Sequence, residues 1–244
     1  MTHRRPKPEK PAWEPPASAA PDAQIPPHGV RPLGVDDIPA LLALAREAIP
    51  DTMAARLGPS FAERYHRALL DEPDLHLDGY FWDGKLLGFI VYTHDVHASL
   101  RSAFRRHALT FAVALVFALL SPSRLAFVLR IAGSVLGRLP EPGMEIRAEL
   151  LTIAVRRGAR GNGELRRALG INVPNALITR AFDYLRGRGV TEAKVFCKPV
   201  ELDPAANGFV RKEGFELRGQ VVRWGITTNL YVKRLEPIAR GGVA

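Results

Sequence analysis

Apolar residues recur along this chain in two rhythms, one helical and one alternating, and their succession predicts a mixed α/β domain. Residues 30–33 read as an edge strand. Asp36 or Asp37 then caps a helix whose apolar face carries Ile38, Leu41, Leu42, Ala45 and Ile49. Ser60 caps a second helix with Phe61, Tyr65, Ala68 and Leu69 on one stripe, ended by Glu72-Pro73-Asp74. Residues 80–82 and 86–93 form two strands, and Asp83-Gly84 between them is a strong hairpin signal. Further along, residues 149–155 are apolar and β-prone. A helix over 176–186 places Leu177, Ala181, Tyr184 and Leu185 on one face and stops at Gly187 or Gly189. Residues 190–198 form a strand with Ala193, Val195 and Cys197 on one side. Asp203-Pro204 opens another helix, Asp as cap and Pro in the first turn, and Gly214 closes it. Residues 215–217 and 221–224 make one strand and 228–235 the last.

Two stretches stand outside this pattern. Residues 1–28 are rich in Pro, Ala and charge and are expected to be disordered, with Trp13 an incidental exposed aromatic. Residues 96–140 contain no Asp or Glu. Within them 108–120 and 125–136 are apolar blocks separated by Ser121-Pro122-Ser123 and flanked by Arg101, Arg105, Arg106, Arg124 and Arg138. Each block is far below the roughly 20 residues that a membrane-spanning helix needs, so the natural reading is a helical hairpin. The expected organisation is a tail over 1–28, one domain over 29–237 with an inserted hairpin at 96–140, and a flexible end at 238–244.

Composition narrows the chemistry. The chain has 244 residues and 47% hydrophobic content, enough for one sizeable core. Its net charge of +9 suits an anionic partner. Arginine far outnumbers lysine, a bias common in GC-rich bacteria. Cys197 is the only cysteine, which excludes an intrachain disulfide and a thiolate metal site. Of the seven histidines, those at 66, 76, 94, 97 and 107 have no ligand spacing, so no metal is expected. The N-terminus carries four cations but no apolar core of a secretory signal. No stacking platform or base-reading motif argues for nucleic acid. The expected location is the cytoplasm.

One segment carries specific chemistry. The strand 149–155 runs into Arg160-Gly161-Asn162-Gly163, a glycine-rich turn headed by a cation. A strand, such a turn and a helix make a phosphate cradle, because backbone N–H groups point outward and the helix N-terminus favours negative charge. The order of strand, turn, helix, strand, short helix, Gly-Phe and two strands resembles that of the GNAT superfamily of N-acetyltransferases, over roughly residues 30 to 236. In that family the turn reads Gln/Arg-x-x-Gly-x-Gly/Ala. A later motif, roughly Asn-x-x-Ala-x-x-Phe-Tyr-x-Lys-x-Gly-Phe, matches Asp203, Ala206, Phe209, Lys212, Gly214 and Phe215. The front half ending Leu87-Gly88-Phe89 is similar too, and the insertion resembles that of bacterial members with an arginine-rich helical segment.

The resemblance implies a twisted, mostly antiparallel sheet of about seven strands flanked by helices. It implies acetyl-CoA as acyl donor and a primary amine as acceptor, with direct attack of the amine. The main chain of Ile153, Ala154 and Val155 would pair with the pantetheine arm, and Arg160, Gly161, Asn162 and Gly163 would hold the pyrophosphate. A general base must take the amine's proton. Glu149 is the candidate, with Glu145 in reserve. The sequence departs from the family at Val210, where a proton-donating Tyr is usual, so Tyr231 or water would have to serve. It departs also at Leu165, where a small residue is usual, and in the long stretch from 164 to 175. These departures leave a second reading open, a non-catalytic acyl-CoA-binding or interaction protein. For the insertion three readings stand: packing on the domain or in a homodimer, a peripheral contact with an anionic inner-membrane surface through 101–138, or a wall of the acceptor pocket.

Overall fold

The computed structural model describes residues 28–112, 143, 145–160, 166–167, 170–223 and 226–236. The N-terminal tail, most of the insertion, Gly161 to Leu165, Trp224 and the last eight residues lie outside this set. Seven strands form one open sheet in the order β1-β2-β3-β4-β5-β7-β6. They are β1 (His28–Pro32), β2 (Leu75–Trp82), β3 (Lys85–Thr93), β4 (Ala148–Val155), β5 (Glu192–Cys197), β6 (Glu216–Arg223) and β7 (Ile226–Arg234). Every pairing is antiparallel except β4 with β5. The hairpin at Asp83-Gly84 forms as its sequence dictates: both residues have positive φ, 48° and 69°, which a tight two-residue turn requires.

Helices cover both faces. On one lie α1 (Ile38–Ala48), α2 (Met53–Leu57), α3 (Pro59–Leu70) and α4 (Val96–Arg106). Leu41, Leu44 and Leu69 from these helices bury against Leu75, Leu77, Phe89 and Val91 of the sheet. On the other face lie α5 (Val173–Gly187) and α6 (Pro204–Lys212). Leu177, Ile178, Ala181 and Leu185 of α5 meet Ile90, Tyr92, Leu150 and Val195, and Val210 of α6 joins them. Period-2 alternation divides each strand between these two cores. Gly88 sits where α5 presses on β3: a Cβ there would stand 3.0 Å from Leu177, Val155 and Val173. That approach is why the position carries no side chain.

The elements follow the sequence expectation with three local differences. Ser60 is not a cap; it lies inside α3, whose N-cap is Gly58 followed by Pro59. A one-turn-plus helix, α2, precedes it, capped by Thr52, and its five residues are too few for a periodic signal. Asp37 does not cap α1 with its side chain. Its carboxylate instead accepts from Arg31 at 2.7 and 2.9 Å and from the Gly34 N–H at 2.9 Å. By contrast Asp203 caps α6 as expected, accepting from the Ala206 N–H at 3.0 Å, and Gly214 ends that helix with φ of 84°. The opening of the insertion is helical, as α4 and a further turn over 108–112, and Phe111 packs on Phe61 and Phe104. The rest of the expected hairpin lies outside the described residues. No helix among the described residues is long and apolar enough to cross a membrane.

Candidate active site

The sheet parts in its middle. β4 and β5 pair only at Ala148–Ala193, Glu149–Lys194 and Leu150–Val195. Beyond them β4 continues to Val155 and β5 to Cys197 with no shared register, so a wedge opens toward the C-terminal ends of both strands. On its other side β4 stays paired with β3 as far as Val155. Residues 151–155 therefore have no strand neighbour on the β5 side among the described residues. A strand edge left this way presents N–H and C=O groups that an extended amide chain can pair with. The register between β3 and β4 slips by one at Leu151, a bulge at the vertex of the wedge. Ile153, Ala154 and Val155 all stand on this open edge.

The glycine turn begins where β4 ends. A 3-10 turn over Arg157–Ala159 leads to Arg160. The Arg160 guanidinium turns back: Nε donates to the Val155 carbonyl at 2.7 Å and Nη2 to the Ala48 carbonyl at 3.2 Å. It ties the end of β4 to the end of α1. Gly161, Asn162 and Gly163 lie outside the described residues. The N-terminus of α5 opens on Asn172, whose side chain caps the Asn175 N–H, and Pro174 occupies its first turn.

Glu149 stands at the vertex, in the second of the three shared registers. It is fully buried, and so is Lys194 beside it. Both carboxylate oxygens are engaged: Oε1 accepts from Arg223 Nη1 at 2.6 Å and Oε2 from Nη2 at 3.3 Å. Lys194 Nζ lies 3.8 Å from Oε2 and donates to the Gly143 carbonyl at 2.8 Å. Arg223 belongs to β6, three strands along the sheet, and its guanidinium lies 4.2 Å over the Phe196 ring. Tyr65 of α3 is close enough to feel both charges, and burial pushes its phenol up to about 12. Both oxygens of a carboxylate forked this way already accept from the guanidinium, so neither is left open toward an incoming amine. The sequence points to Glu149 as a base but gives no sign of Arg223 or Lys194 as its partners. An arginine in the run Val221-Val222-Arg223-Trp224 was the available signal. Glu145 lies in a turn ahead of β4, with no ion pair among the described residues.

Tyr231 is equally committed. It is buried beneath α6, donates to Asn207 Oδ1 at 2.8 Å and accepts from Arg211 Nε at 3.2 Å. Asn207 in turn donates to the carbonyls of Lys198 and Asp203 at 2.9 and 2.7 Å and accepts from Asn229. This network fixes the segment after β5 to α6. Phe209 is half-buried and Val210 buried, and neither carries a proton. Cys197 is buried on β5, and desolvation pushes its thiol up to about 12. Iodoacetamide at pH 8 is therefore expected to leave Cys197 unmodified in the folded protein and to alkylate it in urea, as read by intact mass. Modification of the folded chain within minutes would contradict the burial. Among the described residues no group of three or more His, Cys, Asp or Glu side chains is placed to hold a metal ion.

No protein-family model matches the sequence, and no curated protein matches it. Solved structures do match in shape. An N-acetyltransferase from Staphylococcus aureus Mu50 is 14% identical with a TM-score of 0.52, over 86% of this chain and 99% of that one. A ribosomal-protein-alanine N-acetyltransferase from Brucella melitensis is 16% identical with a TM-score of 0.51, over 84% of this chain and 99% of that one. Seven strands in this order, parted between β4 and β5 and flanked by helices on both faces, give the chain the GNAT fold.

Proposed function

We propose that this chain is an acyltransferase that moves an acetyl group from acetyl-CoA to a primary amine. The observation that carries the reading is the edge of β4 over 151–155, unpaired among the described residues and opening from a bulge. The pantetheine amides would pair with that edge around Ile153, Ala154 and Val155. The pyrophosphate would be held by Arg160, Gly161, Asn162 and Gly163, the glycine-rich segment that follows β4 in the sequence. The neutral amine nitrogen bonds to the acetyl carbon, the C–S bond breaks, the nitrogen gives its surplus proton to water, and the departing thiolate takes one from water, since Phe209, Val210 and the engaged Tyr231 offer none.

Glu149 takes a different part from the free base that its sequence position suggests. Sealed and forked by Arg223, it acts in this reading as the fixed charge that sets Arg223 and Lys194 at the vertex. Amine attack then depends on the fraction of acceptor already neutral.

Isothermal titration with acetyl-CoA tests the reading. Binding in the micromolar range is expected, weakened at least tenfold by Arg160→Glu, which sets a carboxylate at the head of the turn. No binding at millimolar acetyl-CoA, or equal affinity in the variant, would refute it. The missing proton donor at Val210 favours a second reading, a protein that binds acyl-CoA without turning it over. Thiol release across a panel of primary amines separates the two: turnover of any acceptor rejects the second.

A further inference from the structure

α4 has an inner and an outer face of opposite character. Val96, Ser99, Leu100 and Ala103 are buried, and Val96 and Leu100 join the core with Leu75, Leu77 and Phe89. The helical turn over 108–112 sends Phe111 inward as well, onto Phe61 and Phe104. The outer face carries Arg101 and Arg105, four residues apart and both exposed. Four residues further on, Leu109 is 80% exposed, the most exposed large apolar side chain among the described residues.

Side chains four apart on a helix are neighbours, so Arg101 and Arg105 repel one another. The adjacent helix α3 shows how a solvated face ordinarily avoids this: Arg67 pairs with Glu63 at 3.0 Å. Arg101 and Arg105 have no ion pair or hydrogen bond among the described residues. The nearby acids are engaged elsewhere. Asp95 caps the start of α4, and Asp71 turns its carboxylate to His107 at 3.4 Å. Arg106 is engaged too, donating to the Asp71 carbonyl at 2.7 Å. No Asp or Glu occurs from residue 96 to 140, so that stretch supplies no counter-charge. Two uncompensated cations beside a bare leucine are unfavourable in water and favourable at an anionic lipid layer. There the guanidiniums fork headgroup phosphates or carboxylates, and the leucine enters the acyl boundary.

We propose that α4 and the turn after it dock on an anionic lipid surface, with Arg101 and Arg105 at the headgroups and Leu109 below them. The docking is independent of acyl transfer. Charge alone would suit nucleic acid equally. Leu109 decides for lipid, because a leucine gains nothing against a phosphate backbone.

Co-sedimentation of the full chain with vesicles at about 0.1 M NaCl is the test. Phosphatidylcholine vesicles holding about 30 mol% phosphatidylserine are expected to carry the protein down, and pure phosphatidylcholine vesicles at least about tenfold less. Arg101→Gln with Arg105→Gln should weaken the partition about tenfold or more, and Leu109→Gln about threefold or more. Arg218→Gln with Arg234→Gln removes the same charge from β6 and β7, at the other side of the sheet, and should change it less than about twofold. Every substituted side chain is exposed, so each variant should keep the native urea midpoint. Equal sedimentation with both vesicles, equal loss in the two double variants, or an unchanged partition in Leu109→Gln would overturn the proposal. Vesicles left free of protein would overturn it too, and a DNA duplex of about 20 base pairs bound in their place would assign the face to nucleic acid.

Discussion

Arg223→Ala is expected to cost about 3–5 kcal/mol of folding stability, because it strips a buried carboxylate of its forked partner. Glu149 and Lys194 are fully sealed and Arg223 is 7% exposed, so water cannot take the guanidinium's place. Two charge-assisted hydrogen bonds, at 2.6 and 3.3 Å, are lost together with the stacking on Phe196. Equilibrium unfolding in urea at pH 7 measures the change, and the slope should stay that of the native protein. Arg223→Lys should recover only part, since an ammonium cannot fork a carboxylate. A loss under about 1 kcal/mol would mean that the cluster is hydrated and that the pair behaves as a surface one.

The second large effect belongs to the contact between α5 and β3. Leu177 is fully buried and its Cδ1 would stand 3.0 Å from a Cβ placed on Gly88. Leu177→Ala should cost about 2–5 kcal/mol, the transfer of the lost methyls plus the cavity that remains. Gly88→Ala alone should cost about 1–3 kcal/mol, because Leu177, Val155 and Val173 must all give way. Combined, the two should cost less than their sum by at least about 0.5 kcal/mol, since the new methyl enters the space that Leu177 vacates. Additive costs in a thermal or urea cycle would show that Gly88 is free of Leu177 and kept for another reason. The same cavity sits under the wall of the wedge, so Leu177→Ala should also weaken acetyl-CoA.

Local chemistry was readable from the sequence wherever one residue type solves one backbone problem. Asp83-Gly84 demands a tight turn, Asp203-Pro204 starts a helix, and Gly214 stops one. Each is a short-range event, and each appears where the residues put it. The order of strands could be expected because the run of elements resembles a known fold. Of the candidate site the sequence showed the strand that became β4, but not the bulge within it. What it lacked were the long-range partners. Arg223 lies 74 residues from Glu149, so no spacing connects them. Ser60 misled for a simpler reason: Gly58 and Pro59 give an equally good helix start two residues earlier, and periodicity does not choose between them. Nor does any spacing announce that Arg160 bonds the Val155 and Ala48 carbonyls, since that depends on where α1 ends in space.

The three shared registers of β4 and β5 have a mechanical meaning. On one side of them lie β1 to β4, on the other β5, β7 and β6, each block continuously paired within itself. Glu149 contributes from the first block, Lys194 and Arg223 from the second, so the ion cluster rivets the two blocks where β4 and β5 pair. A joint fastened at one end is a fulcrum. Because α5 packs on both blocks at once, the angle between them is set by that shared core, while their spacing at the vertex is set by the rivet.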